Sequence, residues 1–215
     1  MRVYAFSLLL FLGVAATAPD AVAQDSRLRD RLPPPAVAPV EAVVDAARRD
    51  GLPTEPLVDR ALEGASKRAP ADRIVIAVER LAGELRTARA ALGASATAGE
   101  IVAGASALRA GATPDDLATL RDMRGAGSLL IPAAVLADLV AVGVPVDTAV
   151  AAVVALAGGL DDAQYIAFQR NVERDIGLGA SPVTAVGVRL DALAEFVSPT
   201  ADSPQSPGAP RPRKP

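Results

Sequence analysis

The 215-residue chain contains no cysteine, no histidine and no tryptophan, and the first two absences exclude whole classes of function. Without histidine and cysteine, the chain cannot form a Ser-His-Asp triad, a Cys-His pair or a zinc site of the usual ligands. It lacks the commonest general base, disulfides, and the cysteine that a lipoprotein carries after its cleavage site. Stability must therefore come from burial of apolar surface, and the chain is long enough for one sizeable core.

Aromatic residues are scarce, and beyond residue 23 they are Tyr165, Phe168 and Phe196 alone. Three rings are too few to line a groove for stacking on sugar faces, which argues against an enzyme that cuts cell-wall glycans. Tyr165 and Phe168 lie three residues apart on one helix face, where core packing explains them better than a ligand site does. The glycines are spread singly and form no phosphate-binding loop.

A strong charge of one sign is also missing, because 22 basic and 25 acidic residues give a net charge of −3. Nucleic-acid binding needs clustered lysine and arginine, so we expect no nucleic-acid partner. Three arginines near the C-terminal end alternate with acids, which predicts an ion-paired surface rather than a basic site. The arginines are Arg170, Arg174 and Arg189, and the acids are Glu173, Asp175 and Asp191.

The first 23 residues have the three parts of a secretory signal peptide. Met1 and Arg2 give a positive start, residues 7–18 are mostly apolar, and Ala21-Val22-Ala23 is a cleavage site. The apolar stretch is too short to span a bilayer as a helix, so an uncleaved anchor is the weaker alternative. We therefore expect cleavage after Ala23 and export to the periplasm or outside the cell.

Two segments of the chain are rich in proline, one before residue 40 and one after residue 197. Three consecutive prolines occupy 33–35, and 198–215 contains six more together with a basic end at Arg211, Arg213 and Lys214. This composition predicts a flexible segment over 24–39 and a disordered, basic tail over 198–215. Alternatively, Pro204-Gln205-Ser206-Pro207 is a docking motif, or the basic end binds an anionic envelope polymer.

Residues 40–197 are predicted to form one all-helical domain of repeated units. A glycine, a small apolar residue and then Pro, Ser or Thr recur, a pattern typical of a helix end followed by the next helix start. The breaks lie at 51–53, 68–70, 93–95, 111–113, 143–145 and 179–181, and all but 68–70, which begins with Arg68, start with glycine; further breaks lie at Gly127 and Gly159. The pattern predicts about eight or nine short helices in a repeat-like bundle or a short α-solenoid.

Several helix starts carry capping residues that support this prediction. The starts are Thr97 with Glu100, Thr113-Pro114 with Asp115 and Asp116, Asp161 with Gln164, and Ser181-Pro182. Apolar residues between the breaks recur every three or four positions, which indicates one buried face per helix. The clearest faces are Leu57, Ala61, Leu62 and Ala65, and then Ile74, Val78, Leu81 and Leu85; this spacing overrules a strand over 74–76.

The most apolar stretch runs from Leu129 to Leu160, and a membrane hairpin is one interpretation of it. Gly143 and Pro145 divide it into arms of about 14 residues, which are too short to cross a bilayer. Asp138 and Asp147 would also be penalised in lipid. We therefore predict the central hairpin of a soluble core and no transmembrane helix in the mature chain.

Carboxylate chemistry is the remaining catalytic option, with acids at 115–116, at 161–162 and at Glu173 and Asp175. A metal or glycosidase site needs acids that converge from different helices. Both aspartate pairs lie at helix starts, where capping explains them. The sequence therefore assigns no catalytic, cofactor-binding or metal residue, no cofactor and no enzymatic activity.

These exclusions favour an exported, non-catalytic helical protein with an interaction or structural role in the cell envelope. Its expected partner is another envelope protein. The alternative is a periplasmic binder of lipid or another apolar small molecule between amphipathic helices. The abundance of alanine favours the first hypothesis, because small side chains pack closely and leave little room for a cavity.

Overall fold

The structure is a computed structural model that describes residues 26–197, with side chains described for residues 26–194. Within this part of the chain every regular element is a helix and no strand occurs, which confirms the all-α prediction. The predicted signal peptide over 1–23 and the predicted tail over 198–215 lie outside the described residues.

A short helix, α1, covers residues 26–31 and is followed by longer helices. These are α2 (Pro34–Arg49), α3 (Glu55–Ser66), α4 (Ala71–Leu92), α5 (Ala98–Ala110), α6 (Pro114–Arg124), α7 (Leu130–Ala141), α8 (Val146–Leu156), α9 (Asp162–Gly177) and α10 (Pro182–Val197). The breaks between the helices from α3 to α10 fall where the glycine pattern predicts them. Residues 74–76 are helical and belong to α4, so the helical interpretation of that segment is confirmed.

The sequence predicts a flexible segment over residues 24–39, but residues 26–31 and 34–39 are helical. α1 buries Leu28, and α2 begins at Pro34 with Ala36 already fully buried. Pro34 stands in the first helical turn, where a residue needs no amide hydrogen, and only Pro39 lies inside the helix. The prolines therefore start a helix here, because their positions suit its first turn.

The chain divides into two compact units, Met1–Ala82 and Gly83–Pro215, whereas the sequence predicts one domain over 40–197. The boundary falls inside α4, in which no break was predicted. In the first unit α2 packs against α3, and Ile74 of α4 contacts Gly64 of α3. The apolar core of this unit includes Leu28, Leu32, Val40, Val44, Leu57, Val58, Ile74 and Val78.

The second unit consists of helices that contact their sequence neighbours and also the helices two positions away. α7 packs between α5 and α9, while α8 contacts both α6 and α10. The consecutive pairs α7–α8 and α9–α10 also contact each other. Two rows of alternate helices, α5–α7–α9 and α6–α8–α10, therefore lie side by side in this unit.

Small residues let the helices of the second unit approach closely. Gly104 of α5 lies against α4: a β-carbon there would be 3.0 Å from Leu92 Cδ1 and 3.2 Å from Ala88 Cβ. A side chain at Gly104 would therefore require its neighbours on α4 to shift by a few tenths of an ångström. The close approach explains a glycine inside a helix, where it otherwise costs stability.

Most helices end in a left-handed residue, and five of these residues are glycines, at positions 51, 93, 111, 143 and 179. The end of α3 is different, because Arg68 adopts a φ of 54° there. A side chain makes this conformation unfavourable, so Arg68 is a locally strained position. The strain follows directly from the sequence, in which Arg68 stands where the other breaks have glycine.

The apolar stretch from Leu129 to Leu160 forms α7 and α8, joined by a turn at Gly143. Asp138 and Asp147 are exposed on these two helices. Among the described residues, no helix is both long enough and apolar enough to span a bilayer.

Candidate functional site

The acid pairs that the sequence singles out act mainly as helix caps. Asp116 accepts hydrogen bonds from the amide and hydroxyl of Thr113, both at 2.8 Å, and thereby completes a capping box for α6. Asp161 and Gln164 form the corresponding box at the start of α9. In the part of the chain that the structure describes, no group of three or more Asp or Glu side chains converges to hold a metal ion.

Of the acids and arginines near the C-terminal end, Arg189 and Asp175 form an ion pair. Arg189 donates two hydrogen bonds of 2.7 Å to the carboxylate of Asp175, one to each oxygen. This contact lowers the pKa of Asp175 below its usual value. Arg174 donates to Asn171 on its own helix, and Glu173 accepts from Gln169. The ion pair ties α9 to α10.

The most specific polar site in the second unit surrounds Glu100, whose side chain is only 5% exposed. Its Oε2 accepts hydrogen bonds from the amide and hydroxyl of Thr97 at 2.8 and 2.9 Å. Its Oε1 accepts from Arg121 Nη2 at 2.9 Å and from the Leu129 amide at 2.7 Å. One carboxylate thus joins the starts of α5 and α7 to the end of α6.

Four donors determine the protonation state of Glu100. Burial alone would raise its pKa, but the hydrogen bonds from Leu129, Thr97 and Arg121 outweigh burial and lower the pKa from 4.5 to about 2. A carboxylate with so low a pKa and with every oxygen already bonded is a poor general base at neutral pH. Its chemistry suits the positioning of three helix ends rather than catalysis.

Arg124 connects the same end of the unit to α9. Its Nη2 donates to Asp162 at 2.7 Å, its Nη1 donates to the carbonyl of Leu160, and its Nε donates to the carbonyl of Ser128 at 3.2 Å. The guanidinium also lies 5.4 Å from the ring centroid of Tyr165. Arg124 therefore fixes both the loop before α7 and the loop before α9.

The two aromatic residues of α9 are core residues, as the sequence predicts. Phe168 is 2% exposed and Tyr165 is fully buried, with its hydroxyl donating to the carbonyl of Val153 at 2.9 Å. Burial raises the pKa of Tyr165 to about 12, and although Arg124 opposes this shift, Asp162 adds to it. The phenol is therefore protonated and already bonded, so it provides no reactive group.

A partly apolar groove lies between the end of α9 and the first half of α10. It has a volume of about 350 Å³ and is open to solvent. Leu178 is 81% exposed there, and Val188 is 53% exposed. The lining residues are Leu178, Ala180, Thr184, Ala185 and Val188, together with the paired Asp175 and Arg189. Val183, on the same helix, is 52% exposed.

Sequence reasoning found the caps but missed the long-range contacts and the groove. The Thr97–Glu100 capping box was predicted, whereas the bonds from Arg121 and Leu129 to Glu100 were not. One local feature of the sequence pointed to the site around Glu100. Apolar residues follow this glutamate directly, which indicates that its carboxylate lies next to the hydrophobic core. No family model, no curated protein and no solved structure matches the chain.

Proposed function

We propose that this chain is an exported, non-catalytic protein of the cell envelope that binds another protein through the apolar groove between α9 and α10. Two exposed aliphatic side chains that line the groove, Leu178 and Val188, carry the proposal. Exposed apolar side chains grouped on one surface are typical of interaction sites. The carboxylate of Glu100 and the guanidinium of Arg124 are already hydrogen-bonded and support structure instead.

In this proposal the second unit is a short α-solenoid, with α9 and α10 as its last helix pair. Each earlier pair has a next pair stacked on it, and the last pair has none among the described helices. Repeat proteins bury the face of each pair against a neighbour, so a terminal pair retains an uncovered face. In this proposal the α9–α10 groove lies on that face, and a protein partner covers it.

The second hypothesis, a carrier of lipid or another apolar small molecule, is less well supported. A small-molecule site normally buries most of its ligand in a concave pocket. The α9–α10 groove is shallow, and Leu178 at its edge is 81% exposed. A protein surface can cover such a groove more completely than a single acyl chain can.

Site-specific photo-crosslinking in the exporting cell tests the proposal. A photoreactive amino acid at Val188 should yield a discrete protein adduct, and Leu178→Asp should reduce it strongly. The matched control places the same amino acid at Ile76, which is 60% exposed on the first unit. Adducts that are identical at Val188 and Ile76, or that persist with Leu178→Asp, would contradict the proposal.

A further inference from the structure

The apolar surface of the α9–α10 groove continues onto the turns at one end of the second unit. Leu178, which lines the groove, is the residue at which α9 ends. Val142 holds the same place at the end of α7, and both side chains are exposed. A β-carbon on Gly143 would lie 3.8 Å from Cγ of Pro182, so the α7–α8 turn lies against the start of α10. Exposed apolar side chains from two neighbouring turns therefore extend the surface of the groove.

The basic residues near the ends of α5 and α9 and on the first half of α10 are already hydrogen-bonded. Arg109 and Arg189 form ion pairs of 2.9 and 2.7 Å with acids of the preceding helices. Arg174 donates to Asn171 of its own helix at 2.9 Å. The positive charge of these helices is therefore largely used within the unit.

Two acids at the neighbouring helix starts have no such partner. Asp115 is the second residue of α6 and Asp147 is the second residue of α8; both are exposed, and no described residue forms an ion pair with either of them. A β-carbon on Gly111 would lie 3.6 Å from Cγ2 of Val146, which places the α5–α6 turn against the start of α8. The second residue of α10 is Val183, so the same helical position is acidic in α6 and α8 and apolar in α10.

These residues form one strip across the turns, which is apolar at α10 and acidic at α6 and α8. The turn strip consists of Val142, Leu178, Val183, Asp147 and Asp115. Neighbouring helices usually pack 8–10 Å apart, so three helix starts in a row span about 16–20 Å. Carboxylates are negative at neutral pH. The strip is therefore complementary to a segment in which basic side chains follow apolar ones.

The charge of the second unit distinguishes between the possible occupants of the turn strip. Residues 83–197 contain eight basic and thirteen acidic residues. A second copy of the chain would bring the same unpaired acids and the same negative charge, and an anionic lipid surface would also be repelled. A basic segment of another protein would be attracted instead.

We propose that the partner of the α9–α10 groove binds with a basic segment that crosses the turn strip. The segment places apolar side chains against Leu178 and Val183 and places lysine or arginine side chains against Asp147 and Asp115. This inference rests on the function proposed above, because it gives the chemistry of that partner and a second surface that it contacts. The groove provides apolar contact, and the two aspartates determine the charge of the segment.

Photo-crosslinking from two positions, in the cells that produce the protein, tests the proposal. A photoreactive amino acid at Val142 should capture the same protein as one at Val188, and mass spectrometry should place the Val142 crosslink in a segment of net positive charge. Asp115→Asn combined with Asp147→Asn should lower the yield of the Val142 adduct at least about threefold, because two charge pairs are lost. Raising the salt concentration during crosslinking of a cell extract should also lower it.

A second double substitution, Asp122→Asn with Asp191→Asn, is the matched control. It removes the same charge from exposed residues that lie farther along their helices, at the ninth position of α6 and the tenth of α10. The yield of the Val142 adduct should be unchanged. Circular dichroism of both double variants should match that of the parent chain, because all four side chains are exposed.

The outcomes separate this proposal from the function proposed above. A Val188 adduct without a Val142 adduct, or a Val142 adduct insensitive to the loss of Asp115 and Asp147, would overturn the basic segment but leave the groove with its partner. Capture of a second copy of the chain, of a lipid or of an acidic segment at Val142 would overturn it as well. The absence of an adduct at both positions would contradict both proposals.

Discussion

Replacing Glu100 by glutamine tests how the second unit holds its helices together. The substitution keeps the shape of the side chain but puts an amide group where one oxygen now accepts two hydrogen bonds. Lowering the pKa of Glu100 from 4.5 to about 2 corresponds to about 3 kcal/mol in favour of the ionised form. We therefore expect Glu100→Gln to reduce the free energy of unfolding by about 2–3 kcal/mol at neutral pH.

The effect of this substitution should depend on pH with a definite sign. The pKa is lower in the folded chain than in the unfolded one, so the stabilisation is complete above about pH 4.5 and is lost as the pH falls towards 2. Glutamine does not titrate, so the stability difference between the two proteins should shrink across that pH range.

Urea denaturation of the chain without residues 1–23 is the appropriate assay. Tyr165 is then the only tyrosine, and because it is buried in the second unit its fluorescence reports on the unfolding of that unit. Asp122→Asn, at an exposed position on α6 of the same unit, is the matched control and should change stability by less than about 0.5 kcal/mol. A loss below about 1 kcal/mol for Glu100→Gln, or a difference that is the same at pH 2.5 and at pH 7, would refute the reasoning.

Four further substitutions have predictable effects on the free energy of unfolding. Gly83→Ala should stabilise by about 0.5–1 kcal/mol, since a β-carbon there meets nothing within 4 Å and alanine favours the helix. Gly104→Ala, its control inside a packed helix, should destabilise by at least about 1 kcal/mol, because the new methyl group would lie 3.0 Å from a leucine side chain. Arg68→Gly should stabilise by about 0.5–1 kcal/mol by removing the strain of a positive φ, and an unchanged or lower melting temperature would show that no strain is present. Tyr165→Phe should cost about 1–2 kcal/mol in urea titrations, because it leaves the site of a buried hydroxyl empty and removes its bond to Val153; a neutral result would contradict that role.

The helix boundaries were predictable because capping and termination depend on residues close together in the chain. Thr97 and Glu100, or Asp161 and Gln164, satisfy each other across three positions, and the structure has these boxes as the sequence predicts. The proline-rich start was misjudged because composition was considered without position. Three prolines suit the first turn of a helix, and the buried Ala36 shows that this helix packs against the unit.

The candidate sites were less predictable because they depend on tertiary packing. Arg121 and Leu129 are 21 and 29 residues from Glu100, and nothing in the local sequence indicates that they meet it. The groove posed a similar difficulty. Val186 and Val188 are both valines of α10, yet the first is buried and the second is half exposed. Helical periodicity identifies apolar faces, but it does not determine which face a neighbouring helix covers.

The central claim is that a protein partner covers the α9–α10 groove, and native mass spectrometry of the protein, purified gently from the cells that produce it, tests it most directly. We predict a complex with one protein in fixed stoichiometry, and its loss with Val188→Asp while Ile76→Asp leaves it intact. A lipid-sized mass that disappears on denaturation, or a protein complex unaffected by Val188→Asp, would contradict the account.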